Sequence, residues 1–244
     1  MRNLVLFLTM ISIAILITIH CDKKNATGPE PEPPPDPVTD IDGNVYQTVK
    51  IGDQIWMAEN LKVTHYRNGQ PILYVEGYLS WAHEIDGAYC NYNNDEGNAA
   101  VYGCLYNWYA VNAVNEYWSI APEGWHVPTV EEWQTLIDYL GDSVAGGKMK
   151  AIGTIEDSTG LWREPNTGAT NKSGFTALPG GRRGHEHGYF REIGEEAWFW
   201  TSTEGEGSLE YYYGQCRILD RFLSGVDKST ALNTCGFSVR LVRD

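Results

Sequence analysis

Four cysteines, two closely spaced histidines, adjacent arginines and a tryptophan in a glycine-rich stretch are the residues here whose types could do chemistry. Cys90, Cys104, Cys216 and Cys235 form no CxxC pair or other zinc-ligand spacing, which argues against a metal centre. In an oxidising compartment they predict disulfides, and proximity favours Cys90–Cys104 and Cys216–Cys235 among the three possible pairings. Loops of that size would each stabilise the fold by roughly 3 kcal/mol. In Gly184-His-Glu-His-Gly188 an extended backbone would turn His185 and His187 to one side, as a metal pair requires. No third ligand accompanies them, so a polar loop tip is expected. Trp162, beside Arg163, is the tryptophan expected to be exposed and to stack on a pyranose ring, with Arg182 and Arg183 in the same stretch. Trp133, Trp198 and Trp200 are expected to pack instead. Asn91-Tyr-Asn-Asn-Asp-Glu-Gly97 is rich in oxygen ligands, but Tyr102 stands where an EF-hand needs its final Glu. No GxSxG nucleophile elbow is present, and Pro179-Gly-Gly-Arg-Arg183 lacks the strand–loop–Lys context of a phosphate loop.

The elements that must position these residues are short. Val45, Gln47, Val49 and Ile51 alternate with Tyr46, Thr48 and Lys50 between the turn signals Asp42-Gly43-Asn44 and Gly52-Asp53, predicting hairpin strands. Two helices are predicted. Leu105 to Val114 has a moderate apolar face. The second begins with Thr129-Val-Glu-Glu132, a capping box, places Trp133, Leu136, Ile137 and Leu140 on one face, and stops at Gly141. From Gly146-Gly147 some fifty residues are punctuated by Gly and Pro, and read as a long loop lobe. Strands return at 197–202, 209–219 and 236–242. The predicted class is α+β: a twisted antiparallel sheet, two helices and a large irregular lobe.

Ahead of this domain, Arg2 precedes an apolar run from Leu4 to Ile19, which ends in Thr18-Ile19-His20-Cys21. The run is 16 residues, short of the roughly 20 that span a bilayer. It predicts a lipoprotein signal over 1–20, cleaved before Cys21, although His20 is bulky for that site. Lipid on Cys21 would be the membrane anchor. Residues 21–37 follow as a tether whose prolines favour polyproline II and whose Glu30, Glu32 and Asp36 keep it solvated. The domain then occupies 38–244. The expected location is the cell envelope, in the periplasm or on the outer surface.

Eighteen basic against 32 acidic residues give a net charge of −14, which repels nucleic-acid backbone and anionic headgroups. Nine Trp, 15 Tyr and 26 Gly suit short strands joined by ordered loops.

Five strings, in this order, resemble the Fibrobacter succinogenes major paralogous domain. They are Trp56-Met-Ala-Glu-Asn-Leu-Lys62, Tyr102-Gly-Cys-Leu-Tyr-Asn-Trp-Tyr-Ala110, Gly124-Trp-His-Val-Pro-Thr-Val-Glu-Glu-Trp133, Ser173-Gly-Phe-Thr-Ala-Leu-Pro-Gly-Gly181 and Gly236-Phe-Ser-Val-Arg-Leu-Val-Arg243. No biochemical function is attached to that family. Val127–Trp133 and Gly236–Arg240 also resemble formylglycine-generating enzymes, which implies a C-type-lectin-like fold. Those enzymes hold copper between two nearby cysteines, whereas Cys216 and Cys235 are separated by 18 residues. An oxidase of that kind is the alternative activity, disfavoured by the spacing. The lectin resemblance also draws attention to Glu164-Pro165-Asn166, in which Glu164 and Asn166 would ligate calcium beside a sugar, but the accompanying Trp-Asn-Asp motif is missing. Apart from that calcium no cofactor is expected. The expected function is a non-enzymatic, lipid-anchored module that binds polysaccharide or an envelope protein through the 150–195 lobe, or serves a purely structural role.

Overall fold

The computed structural model describes residues 34–112, 118–207 and 212–244. The leader, Cys21, the tether to residue 33 and the start of the strand expected at 209–219 lie outside the described residues. The elements run β1 (Val38–Thr39), β2 (Val45–Tyr46), β3 (Thr48–Ile51), β4 (Gln54–Met57), β5 (Leu73–Tyr74), α1 (Tyr78–Ala82), β6 (Ala88–Cys90), α2 (Glu96–Tyr102), β7 (Leu105–Tyr106) and α3 (Trp108–Val111). They continue with β8 (Trp125–His126), α4 (Val130–Leu140), α5 (Ala145–Met149), β9 (Gly180–Arg183), β10 (Phe190–Ile193), β11 (Glu196–Glu204), β12 (Tyr213–Asp220), β13 (Asp227–Leu232) and β14 (Val242–Arg243). This is a mixed α+β fold dominated by sheet.

Local chemistry explains the best-defined elements. Gly52, at φ +62°, closes the β3–β4 turn so that Ile51 faces Gln54 and Thr48 faces Met57. Thr129 caps α4 through its hydroxyl, which accepts from the Glu132 N–H at 3.2 Å, while Glu132 Oε2 accepts from the Thr129 N–H at 2.8 Å. Gly141 ends the helix in the left-handed region, at φ +92°. The buried face of α4 sets Trp133 against Trp56, Phe175 and Phe199, with ring centroids 5.2, 5.7 and 5.5 Å apart. Such aromatic pairs contribute about 0.5–1.5 kcal/mol each beyond the area they bury.

Three sheets share the core. One runs β3-β4-β14-β8, a second β10-β9-β11-β12-β13, and a third β5-β6-β7, with β1 and β2 as a separate pair. Pairing is antiparallel except for β5 with β6 and a single parallel bridge, Ala197 to Gly181, between β9 and β11. Thr48 Oγ1 donates to the carbonyls of Pro35 and Asp36, so the last tether residues lie against β3.

Several expectations change. The helix predicted from Leu105 is a strand followed by one short turn of helix. Leu105 pairs with Cys90, and Asn107 Oδ1 accepts from both the Ala88 and the Ala110 N–H groups. Sheet pairing and an Asn cap thus outcompete the helical period. The predicted loop lobe opens inside the helix α5 and is irregular only from Lys150 to Pro179. Beyond it, β9 and β10 form a hairpin that Gly-Gly-Arg-Arg, lacking any apolar alternation, conceals. Gly181 permits that hairpin, because a Cβ there would sit 2.4 Å from the Arg191 carbonyl oxygen. The expected disulfides are not formed: Cys90, Cys104, Cys216 and Cys235 are buried free thiols. Cys90 nevertheless lies opposite Leu105, next to Cys104 in the chain, and Cys216 and Cys235 belong to the same core cluster. Cys104 and Cys216 have acceptors of their own, Asn91 Oδ1 at 3.6 Å and the Ser229 carbonyl at 3.5 Å. No helix among the described residues is long and apolar enough to cross a membrane.

Candidate functional site

The residues singled out from sequence separate into buried struts and surface groups. Trp162 is fully buried: its Nε1 donates to the Ala177 carbonyl at 3.0 Å, and the Lys150 ammonium lies 5.3 Å from its ring centroid. It can present no face to a sugar. Asn166 is also buried, its amide donating to the carbonyls of Ala151 and Gly153, whereas Glu164 is exposed. The two thus differ in accessibility, and Asn166 Oδ1 has no hydrogen-bond partner among the described residues. Arg183 is equally inaccessible. It donates to the carbonyls of Gly188, Val75 and Glu76, and its guanidinium packs 4.7 Å from Trp81 and 4.6 Å from Phe190. It ties the hairpin to the segment before α1.

Arg182, His185 and His187 do come together. With Glu186, Tyr189 and Arg191 they wall a cleft of about 320 Å³ on the β9–β10 hairpin. Arg182 lies 4.9 Å above the Trp198 ring and is gripped by Glu192 through two hydrogen bonds. His185 Nδ1 meets Cys235 Sγ at 3.8 Å. Burial pushes that thiol up to about 12, and the other three equally, so none is a thiolate at neutral pH. The described residues hold no group of three or more His, Cys, Asp or Glu arranged for a metal ion.

A second, larger cleft of about 480 Å³ escaped the sequence reading. Its walls come from distant segments: Tyr66 and Leu73, Asp86, Tyr109 and Asn112, and Trp118. Trp118 is 42% exposed and stands edge-on to Tyr66, with ring centroids 5.4 Å apart at 80°. Tyr66 forms the floor. Gly87 is required beside it, since a Cβ there would lie 1.9 Å from the Tyr66 hydroxyl. Burial and the neighbouring Asp86 charge raise the Tyr66 phenol, and burial raises Tyr109, so both keep their O–H protons. The Asp86 side chain is exposed and accepts no hydrogen bond from the described residues. The arrangement offers an aromatic wall, an open carboxylate acceptor, a carboxamide at Asn112 and two phenolic hydroxyls. Its only advance signal was the abundance of Tyr and Trp.

Comparison with known proteins places most of the chain. The family described as the Fibrobacter succinogenes major domain matches residues 49–243. The chain belongs to that family. No curated protein and no solved structure matches the chain, so the likeness to formylglycine-generating enzymes gains no support. Within this Fibrobacter major domain, three of the five recurring strings meet at one side chain, Arg240, and a fourth joins them through Asn60. Its guanidinium donates to Asn60 Oδ1 at 2.8 Å and to the carbonyls of Met57, Phe175 and Thr176, and lies 4.4 Å over the Phe175 ring. Asn60 in turn donates to the Tyr102 carbonyl at 2.8 Å. The fifth string supplies His126, which bridges Glu132 Oε1 at 2.8 Å and Asp244 Oδ1 at 2.6 Å. These residues build the fold, and the larger cleft is lined chiefly from outside the strings.

Proposed function

We propose that this domain is a non-catalytic carbohydrate-binding module, presented at the cell envelope by lipid on Cys21 and built on a C-type-lectin-like fold. The observation that carries the reading is the larger cleft, where exposed Trp118 stands edge-on to Tyr66 beside the open carboxylate of Asp86. The axial C–H groups of a pyranose ring pack on an aromatic face, while its equatorial hydroxyls need acceptors and donors around the edge. Asp86, Asn112 and the phenols of Tyr66 and Tyr109 supply those. The volume falls within the range of small-molecule sites. The pairing of β4 with the C-terminal β14 and the irregular stretch before β9 support the lectin-like assignment. The anchor rests on the order of leader, cysteine and proline-rich tether.

Affinity electrophoresis through a panel of soluble polysaccharides tests this reading. The unaltered protein is expected to be retarded by at least one glycan, and Trp118→Ala to weaken that retardation by roughly tenfold while lowering Tm by no more than the few degrees that loss of the Tyr66 contact accounts for. Retardation by none, or an unchanged Trp118→Ala variant, would overturn it.

A further inference from the structure

In the β9–β10 hairpin, Arg182 and Arg191 are directly opposed, so their side chains leave the same face. Like charges at such a pair repel, and the fold compensates only one of them. Glu192, on a backbone at φ +66°, folds its carboxylate onto Arg182. Arg191 is exposed, and no side chain or carbonyl of the described residues pairs with its guanidinium. It borders the smaller cleft, where the Glu192-bound Arg182 and the imidazoles of His185 and His187 are the other nitrogen groups. His185 turns Nδ1 toward Cys235, which leaves Nε2 for the cleft. The His187 ring packs 5.5 Å from Tyr189, which rests at 5.3 Å on Tyr78. In a chain of net charge −14, the hairpin from 180 to 193 sets Arg182, Arg183 and Arg191 against Glu186 and Glu192, a local net charge of +1 before its two imidazoles are counted.

We propose that this cleft is an oxyanion site, in which Arg191 and the imidazoles of His185 and His187 hold a carboxylate, sulfate or phosphate group. A guanidinium presents a planar fork of N–H donors matched to two such oxygens, and an unpaired one gains most from an external anion. Glu186 borders the same cleft and opposes the anion, which gives the proposal a signed test. Removing Arg191 must weaken binding, whereas neutralising Glu186 must strengthen it. A cation or a neutral sugar in this cleft would not produce that pattern.

The test is calorimetric titration of the full protein at constant ionic strength with inorganic sulfate, inorganic phosphate and galacturonate oligomers, with chloride as the reference. Saturable binding of at least one is expected, weakened roughly tenfold or more by Arg191→Ala and partly restored by Arg191→Lys. Glu186→Gln is expected to tighten it severalfold. Binding of the oligomers alone would identify a polymer-borne carboxylate as the source, and binding of sulfate or phosphate alone a free anion. Both outcomes uphold the site. No binding above chloride, unchanged affinity in Arg191→Ala, or weaker binding in Glu186→Gln would overturn it. Trp118→Ala should leave anion binding intact, so failure of the carbohydrate reading and failure of this one are separable.

Discussion

Arg240 shows how much one side chain can hold. It is completely buried yet donates hydrogen bonds to four acceptors in two distant segments of the chain, and burial pushes its pKa down only to about 9, so it remains charged at neutral pH. Its donors satisfy three carbonyls and the Asn60 side chain. Replacement by methionine keeps much of the volume and strands those acceptors, each at a cost of about 1–3 kcal/mol. Arg240→Met should therefore lower stability by at least about 3 kcal/mol. For a domain of this size that is a fall in Tm of roughly 6–12 °C, readable by calorimetry. Trp162 and Trp118 make the complementary point. The first lies in a Gly-rich stretch that suggests exposure, but long-range contacts with Lys150 and Ala177 bury it. The second carries no local signal of a site, because its partner, Tyr66, is far away along the chain. A tryptophan's exposure is decided by tertiary neighbours, which local composition does not encode.

At the scale of elements, legibility followed locality. The helix α4 was readable because its cap, its period and its glycine stop all lie within thirteen residues of one another. The β3–β4 hairpin was readable for the same reason. The strand β7 and the hairpin β9–β10 were not, since their partners or their glycine-permitted geometry override weak local patterns. His126 illustrates an element-level device: it joins β8 to α4 and to the C-terminus. Hydrogen bonds to Glu132 and Asp244 raise its pKa to about 9 from 6.5, against the opposing effect of burial. The folded form thus binds this proton more tightly than the unfolded chain. Its contribution is complete below about pH 6.5 and is lost as pH rises through about 9. The Tm advantage of the unaltered protein over His126→Gln should shrink across that window. A constant difference from pH 6 to 9.5 would show that the bridge contributes through packing alone. Glu196 titrates lower, near 7, because burial and neighbouring Glu192 raise its carboxyl, so comparison with the single variant isolates the histidine.

At the scale of the whole molecule, a closely packed core carries on its surface two clefts of different chemistry. The core's four buried thiols replace the expected disulfide bracing, so stability comes from aromatic packing and buried guanidinium struts. Thiol titration should find these four cysteines unreactive in the native protein and all four reactive after unfolding without reductant. Silence after unfolding would mean that they are paired. The anchoring proposal makes its own demand: Cys21→Ser should move the protein from the membrane fraction to the soluble one. The family relation and the α+β class were legible from ordered strings and strand patterns. The larger cleft was not, because its walls are gathered from four separated segments that only folding brings into register.

The most direct test of the central claim is the Trp118 indole N–H resonance, followed while a retained oligosaccharide is added. The account predicts a saturable shift at Trp118, accompanied by Tyr66, Gly87 and Tyr109 and absent from the buried Trp162. A bound glycan that leaves Trp118 unmoved and perturbs another surface would contradict it.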